Sequence, residues 1–412
     1  MRSYSDLFRT REFTPFFLAS ALQGAAQTVG GLALGTLVYE KTGSPLLSAL
    51  SMFGPSLAQV LGATTLLSAA DRLPPRATMT GISLAFAVCT AVMALPGLPV
   101  AGIFGLLLLL GLVTSLGGGV RWGLLNEILP EGGYLLGRSV FNMLNGIMQI
   151  TGFATGGVLV VVLSPRTTLL TAAALYLTGA LATRLGLSRR PPRTSGRPSV
   201  AQTWRTNAVL WSSVPRRHVY LLLWVPNGLI VGCESLYVSY APDRAGLLFA
   251  FAAFGMFVGD VTTGRLLTPP VRRRMGVPLL LLLATPYLLF ALHPAVGVAA
   301  ACVAVASIGF GASLVQQERL MSLTPPELSG HALGLHSSGM LTMQGVSAAL
   351  AGAVAQLTSP GAAMAVMAVT SLAATAALSA AGKREERRPG GGGESEGGAL
   401  DVLGVPDVDG AR

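Results

Sequence analysis

Two carboxylic acids, Glu234 and Asp260, lie inside long apolar stretches of the sequence. An ionised acid near the middle of a bilayer costs about 2.5–3.5 kcal/mol on insertion scales. Withdrawal from water favours the neutral acid, so a carboxyl group so placed can take up and release a proton near neutral pH. Both residues are therefore candidates for proton coupling. Ordinary readings stand beside this one: Glu234 reaching the nearer polar interface, and Asp260 pairing structurally near the opposite one. Among the histidines only His336 lies deep in an apolar stretch, whereas His293 and His331 fall at stretch ends.

Other polar side chains recur at helical spacing. Gln23 and Gln27 are four apart, and Asn142, Asn145 and Gln149 follow one another at three and four. Asn227 and Glu234 are seven apart, and His336 and Gln344 eight. Residues at such intervals lie on one side of a helix. In lipid they must face a polar cavity or bond to another helix, and both readings stay open. Arg121, beside Trp122, could attract an anionic compound or pair with Glu127. Cys89, Cys233 and Cys302 fall in three different stretches and show neither metal-ligand nor redox spacing. No phosphate-cradling GxxxxGK[ST] run occurs. No clustered acid–base set marks a catalytic centre, so neither an enzyme, a metal nor a cofactor is expected.

The elements that carry these residues are membrane helices. A helix needs about 20 apolar residues to cross the hydrocarbon core. Twelve stretches approach that length: 13–39, 45–70, 77–95, 99–121, 138–163, 167–187, 217–240, 245–267, 275–293, 295–320, 330–357 and 360–382. Charged residues make up 11% of the chain, against about 25% in ordinary soluble domains. The mean hydropathy is +0.62. The 51 glycines and 25 prolines suit membrane helices, where small residues allow close packing. The expected fold class is an all-α membrane protein of twelve transmembrane helices.

The positive charge is sorted by side. Of the 28 Lys and Arg residues, 25 fall at the N-terminus, in alternate gaps or in the C-terminal tail. The opposite gaps hold only Lys41, Arg166 and Arg244. Positive residues stay on the cytoplasmic side during insertion. The expectation is a multi-pass protein of the cell membrane with both termini in the cytoplasm, in contact with membrane lipid. The formal charge of +10 then reports topology and not nucleic-acid binding. The first span is too long for a signal-peptide core.

The longest polar break divides the chain into two six-helix bundles, 1–188 and 217–382, joined by a linker, 189–216. Within the linker, Trp204 and Trp211 are seven apart. They mark either an amphipathic helix on the membrane surface or an ordered packed segment. The tail, 383–412, is polar and glycine-rich and is expected to be disordered. The halves echo each other at an offset of 193: Arg72-Leu73 with Arg265-Leu266, Gly137 with Gly330, and Gly152 with Gly345. Parallel repeats of this kind place a binding site between the halves.

With six plus six spans, inside termini, a long central loop and the segment SAADRLPPRAT after span two, the chain resembles the major facilitator superfamily. Asp71 and Arg72 match the Asp-Arg pair of that family's loop, and Arg76 matches a later basic position. Leu67 and Pro74 stand where glycines are usual. In span five, Gly152-Phe153-Ala154-Thr155-Gly156-Gly157 is similar to a proton-coupled exporter motif, with Phe153 in place of proline. The ordinary reading of that run is a packing face, Gly152 and Gly156 being four apart.

The resemblance implies a central cavity lined by spans one, four, seven and ten, with help from two, five, eight and eleven. Gln23, Gln27, Arg121, Asn142, Asn145, Gln149, Asn227, His336 and Gln344 are its candidate substrate contacts. Asp71, Arg72 and Arg76 are implied as a cytoplasmic gate. The implied activity is secondary active transport by rocking of the two halves. The favoured reading is proton-driven export of a small amphipathic compound by a monomer. The alternatives are an uptake permease and, from another class, an integral-membrane lipid-modifying enzyme.

Overall fold

The structure, a computed structural model, describes residues 4–70, 74–129, 133–191, 200–325 and 328–386. These form helices, and no strand occurs among them. Ten are long and apolar enough to cross a membrane. Phe13–Thr42, of 30 residues, and the shorter apolar Gly276–Leu292 complete a series of twelve crossings. The order is span one, Phe13–Thr42; two, Pro45–Phe53 and Pro55–Ala70; three, Pro75–Met93; four, Val100–Ile128; five, Tyr134–Leu163; and six, Pro165–Gly186. Then come seven, Val214–Glu234 with Tyr237–Tyr240; eight, Ala245–Val261 with Thr262–Leu266; and nine, Gly276–Ala284 with Thr285–Leu292. The last are ten, Val296–Ile308 to Ala312–Ser322; eleven, Ser329–Leu357; and twelve, Pro360–Glu386. The last helix thus runs into the segment expected to be disordered, and the rest of that tail lies outside the described residues.

Local sequence sets where these helices stop and restart. Span one ends at Gly43, whose φ of 63° closes the helix with an N–H donated to the Tyr39 carbonyl. A glycine accepts that left-handed conformation without steric cost. Ser44 then accepts a hydrogen bond from the Leu47 N–H, and Pro45 begins the next helix, the preferred chemistry of a helix start. Ser164 and Pro165 repeat the device between spans five and six.

Small residues bring the helices together. Gly152 of span five packs on Thr28 and Gly156 on Val29, both of span one. This is the packing face that their four-residue spacing implies. Gly157 points elsewhere: a Cβ there would stand 2.7 Å from the Gly246 Cα of span eight. Gly345, the offset partner of Gly152, packs on Leu57 of span two. One member of that pair contacts its own group of helices and the other crosses to the opposite group.

Contacts between spans one to six and spans seven to twelve gather toward the arginine-poor end. Ser44 Oγ donates to Gln356 Oε1 at 3.0 Å. Phe153 and Phe249 stack with centroids 4.6 Å apart. Gly35 meets Val238, and Gly352 meets the Leu46 backbone. Gly157 of span five likewise meets Gly246 of span eight, and Gly345 of span eleven meets Leu57 of span two. Leu32 of span one is buried in the same apolar cluster as Ile230, Tyr237 and Phe249.

The segment between the groups contains a helix, Val200–Ser212. Trp211 lies on Trp224 of span seven, centroids 5.5 Å apart at 8°, while Trp204 is exposed. At its other side, Arg190 forms an ion pair with Glu12 at 2.7 Å and lies 3.5 Å from Glu127. Burial pushes the Glu12 carboxyl up, but the Ser188 N–H and the Arg190 charge outweigh it and hold the group below the usual carboxylate range. A depressed folded-state pKa contributes stability above the ordinary value and loses it as pH falls through the folded value.

Two expected outcomes follow from this packing. Gly246→Leu forces the two groups apart at the Gly157 contact, and cross-linking of a Ser44→Cys/Gln356→Cys pair falls severalfold relative to the parent. Acidification below the usual carboxylate range frees the Arg190 segment, read as faster hydrogen exchange at Ser188. In Glu12→Gln that exchange is already fast at neutral pH.

Candidate functional site

Span seven is built to place Glu234. Pro226 interrupts the helix interior, and the Ser371 hydroxyl of span twelve donates to the Pro226 carbonyl at 3.1 Å. Proline removes an N–H and breaks the regular ladder. Gly228 and Gly232 let the helix settle on Met343 and Ser347 of span eleven. The helix ends at Glu234, capped by Ser235, before the turn Tyr237–Tyr240.

Glu234 is 7% exposed, and its Oε1 has no hydrogen-bond partner. It lies within electrostatic reach of Tyr237 and Tyr287. Those two phenols are hydrogen-bonded to each other and wholly buried. No cation is paired with Glu234 among the described residues. A helix C-terminus carries partial negative charge, and a buried unpaired carboxylate is very costly. Glu234 is thus largely withdrawn from solvent. Tyr237, three residues on, is a partner that helical spacing makes legible in the sequence. Tyr287 comes from span nine and has no sequence signal.

Asn227, the same-face neighbour, is 1% exposed and donates to the Leu223 carbonyl at 2.7 Å and to Ser313 Oγ of span ten at 3.4 Å. It joins two helices. His336 is half-buried, its carbonyl accepts from Trp224 Nε1 at 3.1 Å, and its Nδ1 has no partner. Gln344 is half-buried beside Gly345.

The remaining amides lie in the open. Asn142, Asn145 and Gln149 are all exposed on span five. Phe153 and Gly157 of that helix touch span eight, and the amides precede Phe153 by eleven, eight and four residues. Residues at four and eleven share its face closely, so the stripe continues the line of that contact face. Gly146, on the same stripe, has nothing within 4 Å of its side-chain position. On span one, Gln27 is exposed and Gln23 half-buried, and Gly31, a turn from Gln27, is likewise open.

On span eight, Gly246, Phe249 and Ala253 lie along the face toward span five, and Asp260 follows at helical spacing, exposed. Asp260 forms no ion pair among the described residues. The five-residue turn after it, Thr262–Leu266, is π-helical, a rare geometry frequent at functional sites. Asp260 and the amide stripe thus continue, on their own helices, the faces that meet at the Phe153–Phe249 stack.

Arg121 is held by rings, 5.1 Å from the Phe141 centroid and 5.5 Å from that of Trp122. Its Nε and Nη2 have no partner, and Glu127 lies against Arg190. Arg76 is half-buried at the start of span three, while Asp71 and Arg72 lie outside the described residues. At the closed end, a cavity of about 440 Å³ is lined by Thr36, Glu40, Ser164 and Asp243. Glu40 there is within electrostatic reach of Arg166 and Asp243. No group of acidic, histidine or cysteine side chains among the described residues could hold a metal ion.

Two groups of membrane helices that pack through spans five and eight and spans two and eleven form the body of a membrane transporter. The sequence model of the Major Facilitator Superfamily matches residues 16–315, and the chain belongs to that family. A comparison with curated protein sequences finds no match. Among solved structures, one similar chain is a POT family transporter in complex with a thioalcohol-conjugated peptide. It has a TM-score of 0.71 and 11% identity, over 90% of this chain and 96% of that one. The nucleoside transporter NupG gives 0.71 and 13%, over 89% and 98%. A bacterial homologue of the human lysosomal transporter Spinster, inward-facing and unoccupied, gives 0.69 and 14%, over 92% and 98%. At these identities the likeness is one of fold.

The phenol pair beneath Glu234 gives a stability prediction. Tyr287→Phe leaves the buried Tyr237 hydroxyl without its partner and destabilises the protein by about 1–3 kcal/mol, read as a lowered midpoint in thermal unfolding. Glu234→Gln, which removes no partnered group, unfolds at a midpoint close to that of the parent.

Proposed function

We propose that this chain is a secondary active transporter that exports a small amphipathic compound in exchange for protons. Its two six-helix halves, 1–188 and 217–382, rock about the cleft, with both termini and the arginine-rich face in the cytoplasm of a cell whose outer membrane boundary it spans. The observation that carries the coupling is Glu234, sealed without a counter-charge beside the closed end. In that arrangement the protonated form is favoured. When the halves rock and the closed end opens, water reaches the carboxyl group and the proton exchanges with the outer medium. A proton entering with the membrane potential releases about 2.3 kcal/mol per 100 mV, enough to drive an uphill exchange.

The cleft supports small amphipathic cargo. Its walls offer amides at Gln27, Asn142, Asn145 and Gln149, and its roof is the aromatic pair Phe153–Phe249. The sorting of 25 basic residues to one face and 3 to the other supports the orientation. The Gly-rich run of span five adds to the export reading through its likeness to the exporter motif, although its glycines also serve packing. In the proposed cycle the loop of Asp71, Arg72 and Arg76 helps close the cytoplasmic face when the outer end opens. The protein is proposed to act as a monomer.

Deletion and overexpression, followed by a resistance and metabolite-accumulation screen, identify the compound. In inverted vesicles its uptake should then require an imposed proton gradient and collapse with a protonophore. Glu234→Gln should lose gradient-driven uptake by at least about tenfold while retaining exchange of labelled for unlabelled compound. Gradient-driven uptake in Glu234→Gln at the parent rate removes the proton assignment, and accumulation in the opposite sense makes the protein an uptake carrier.

A further inference from the structure

The two walls of the cleft differ in charge. Span five contributes Asn142, Asn145 and Gln149, neutral and exposed, with open space at Gly146. Span eight contributes Asp260, exposed and without an ion pair among the described residues. Both stripes are anchored to the same point. Asn142 precedes Phe153 by eleven residues, and Asp260 follows Phe249 by eleven. The two helices run in opposite directions and stack through those rings. Eleven residues of helix rise about 16 Å, so helix geometry sets Asn142 and Asp260 at matching distances from the stacked rings, each on the continuation of its helix's contact face.

We propose that Asp260 and the span-five amides form a binding subsite for a protonated amine or another organic cation. This rests on the reading that the cleft is the transport cavity, but not on export or on proton coupling. An ionised carboxylate has only acceptors, and the amide carbonyls add more. An ammonium group has three donors and no acceptor. Walls of low dielectric strengthen the attraction between opposite charges and repel an anionic compound equally. The apolar part of the ligand lies toward the Phe153–Phe249 roof. Arg121 is held against Trp122 and Phe141, and Arg265, exposed within the π-helical turn, forms no ion pair with Asp260 among the described residues. The turn itself offsets the helix immediately after Asp260, separating it from the basic segment Arg272–Arg274 that follows.

The test uses the full-length protein in detergent, without any gradient, and three matched probes: 1-naphthylmethylamine, 1-naphthalenemethanol and 1-naphthoate. Titration calorimetry should show the amine binding about tenfold or more tightly than the alcohol, and the naphthoate weakest. Asp260→Asn should bring the amine down to the level of the alcohol and leave the alcohol unchanged, while Asp260→Glu keeps the preference. Equal binding of amine and alcohol, no binding of the amine, tightest binding of naphthoate, or a preference surviving in Asp260→Asn each overturns the subsite. Labelling of Asn145→Cys by a membrane-impermeant maleimide, applied to inverted vesicles, reports the cleft separately. Labelling without an amine preference sinks the cation subsite and spares the cleft, whereas absence of labelling sinks the cleft reading itself.

Discussion

The arrangement depends on how closely two helices can approach where the two groups meet. At Gly157 and Gly246 there is no side chain on either backbone, so spans five and eight touch directly. Gly352 brings span eleven onto the Leu46 backbone of span two, and Gly345 leaves room there for the Leu57 side chain. In lipid there is little hydrophobic gain from pressing one apolar helix on another, so association rests on close van der Waals packing and a few hydrogen bonds. Small residues concentrated toward one end make that end the tight one. The helices then diverge, and the surfaces left facing each other are where polar side chains are tolerated.

This geometry sorts the polar groups into two kinds. Glu234, Asn227, Tyr237 and Tyr287 lie inside the packed part, and all but the glutamate have partners. Asn142, Asn145, Gln149 and Asp260 are exposed. A buried acid without a partner is a source of instability unless it is neutral. An exposed acid in a narrow cleft is instead available to whatever enters. Two carboxylates of similar sequence context thus acquire different chemistry from where the tight contact ends.

Much of the fold was legible in the residues. Twelve crossings, their order and nearly all their bounds follow from apolar length and from breakers such as Gly43, Ser164-Pro165 and Pro294. The helix at Val200–Ser212 was marked by its paired tryptophans; Trp211 stacks on Trp224, and both Trp204 and Trp211 keep exposed surface. The amide stripe of span five was visible as a spacing. Its orientation was not, because a helical period defines a face without saying what that face meets. The glycine run of span five illustrates the same limit. Gly152, Gly156 and Gly157 are near neighbours in the chain, yet the first two turn to span one and the third to span eight.

By itself the sequence determined that this chain crosses a membrane repeatedly, which of its gaps are basic, and which few polar residues lie within the crossings. Those properties follow from the cost of placing charge and unpaired amides in hydrocarbon, and that cost is local to each segment. Only the tertiary structure decided that Glu234 is sealed beside Tyr237 and Tyr287, that Asn227 bonds to span ten, and that Gly157 meets Gly246 of span eight. Those outcomes depend on contacts between residues far apart in the chain, set by where backbones can touch, and no window of sequence contains both partners.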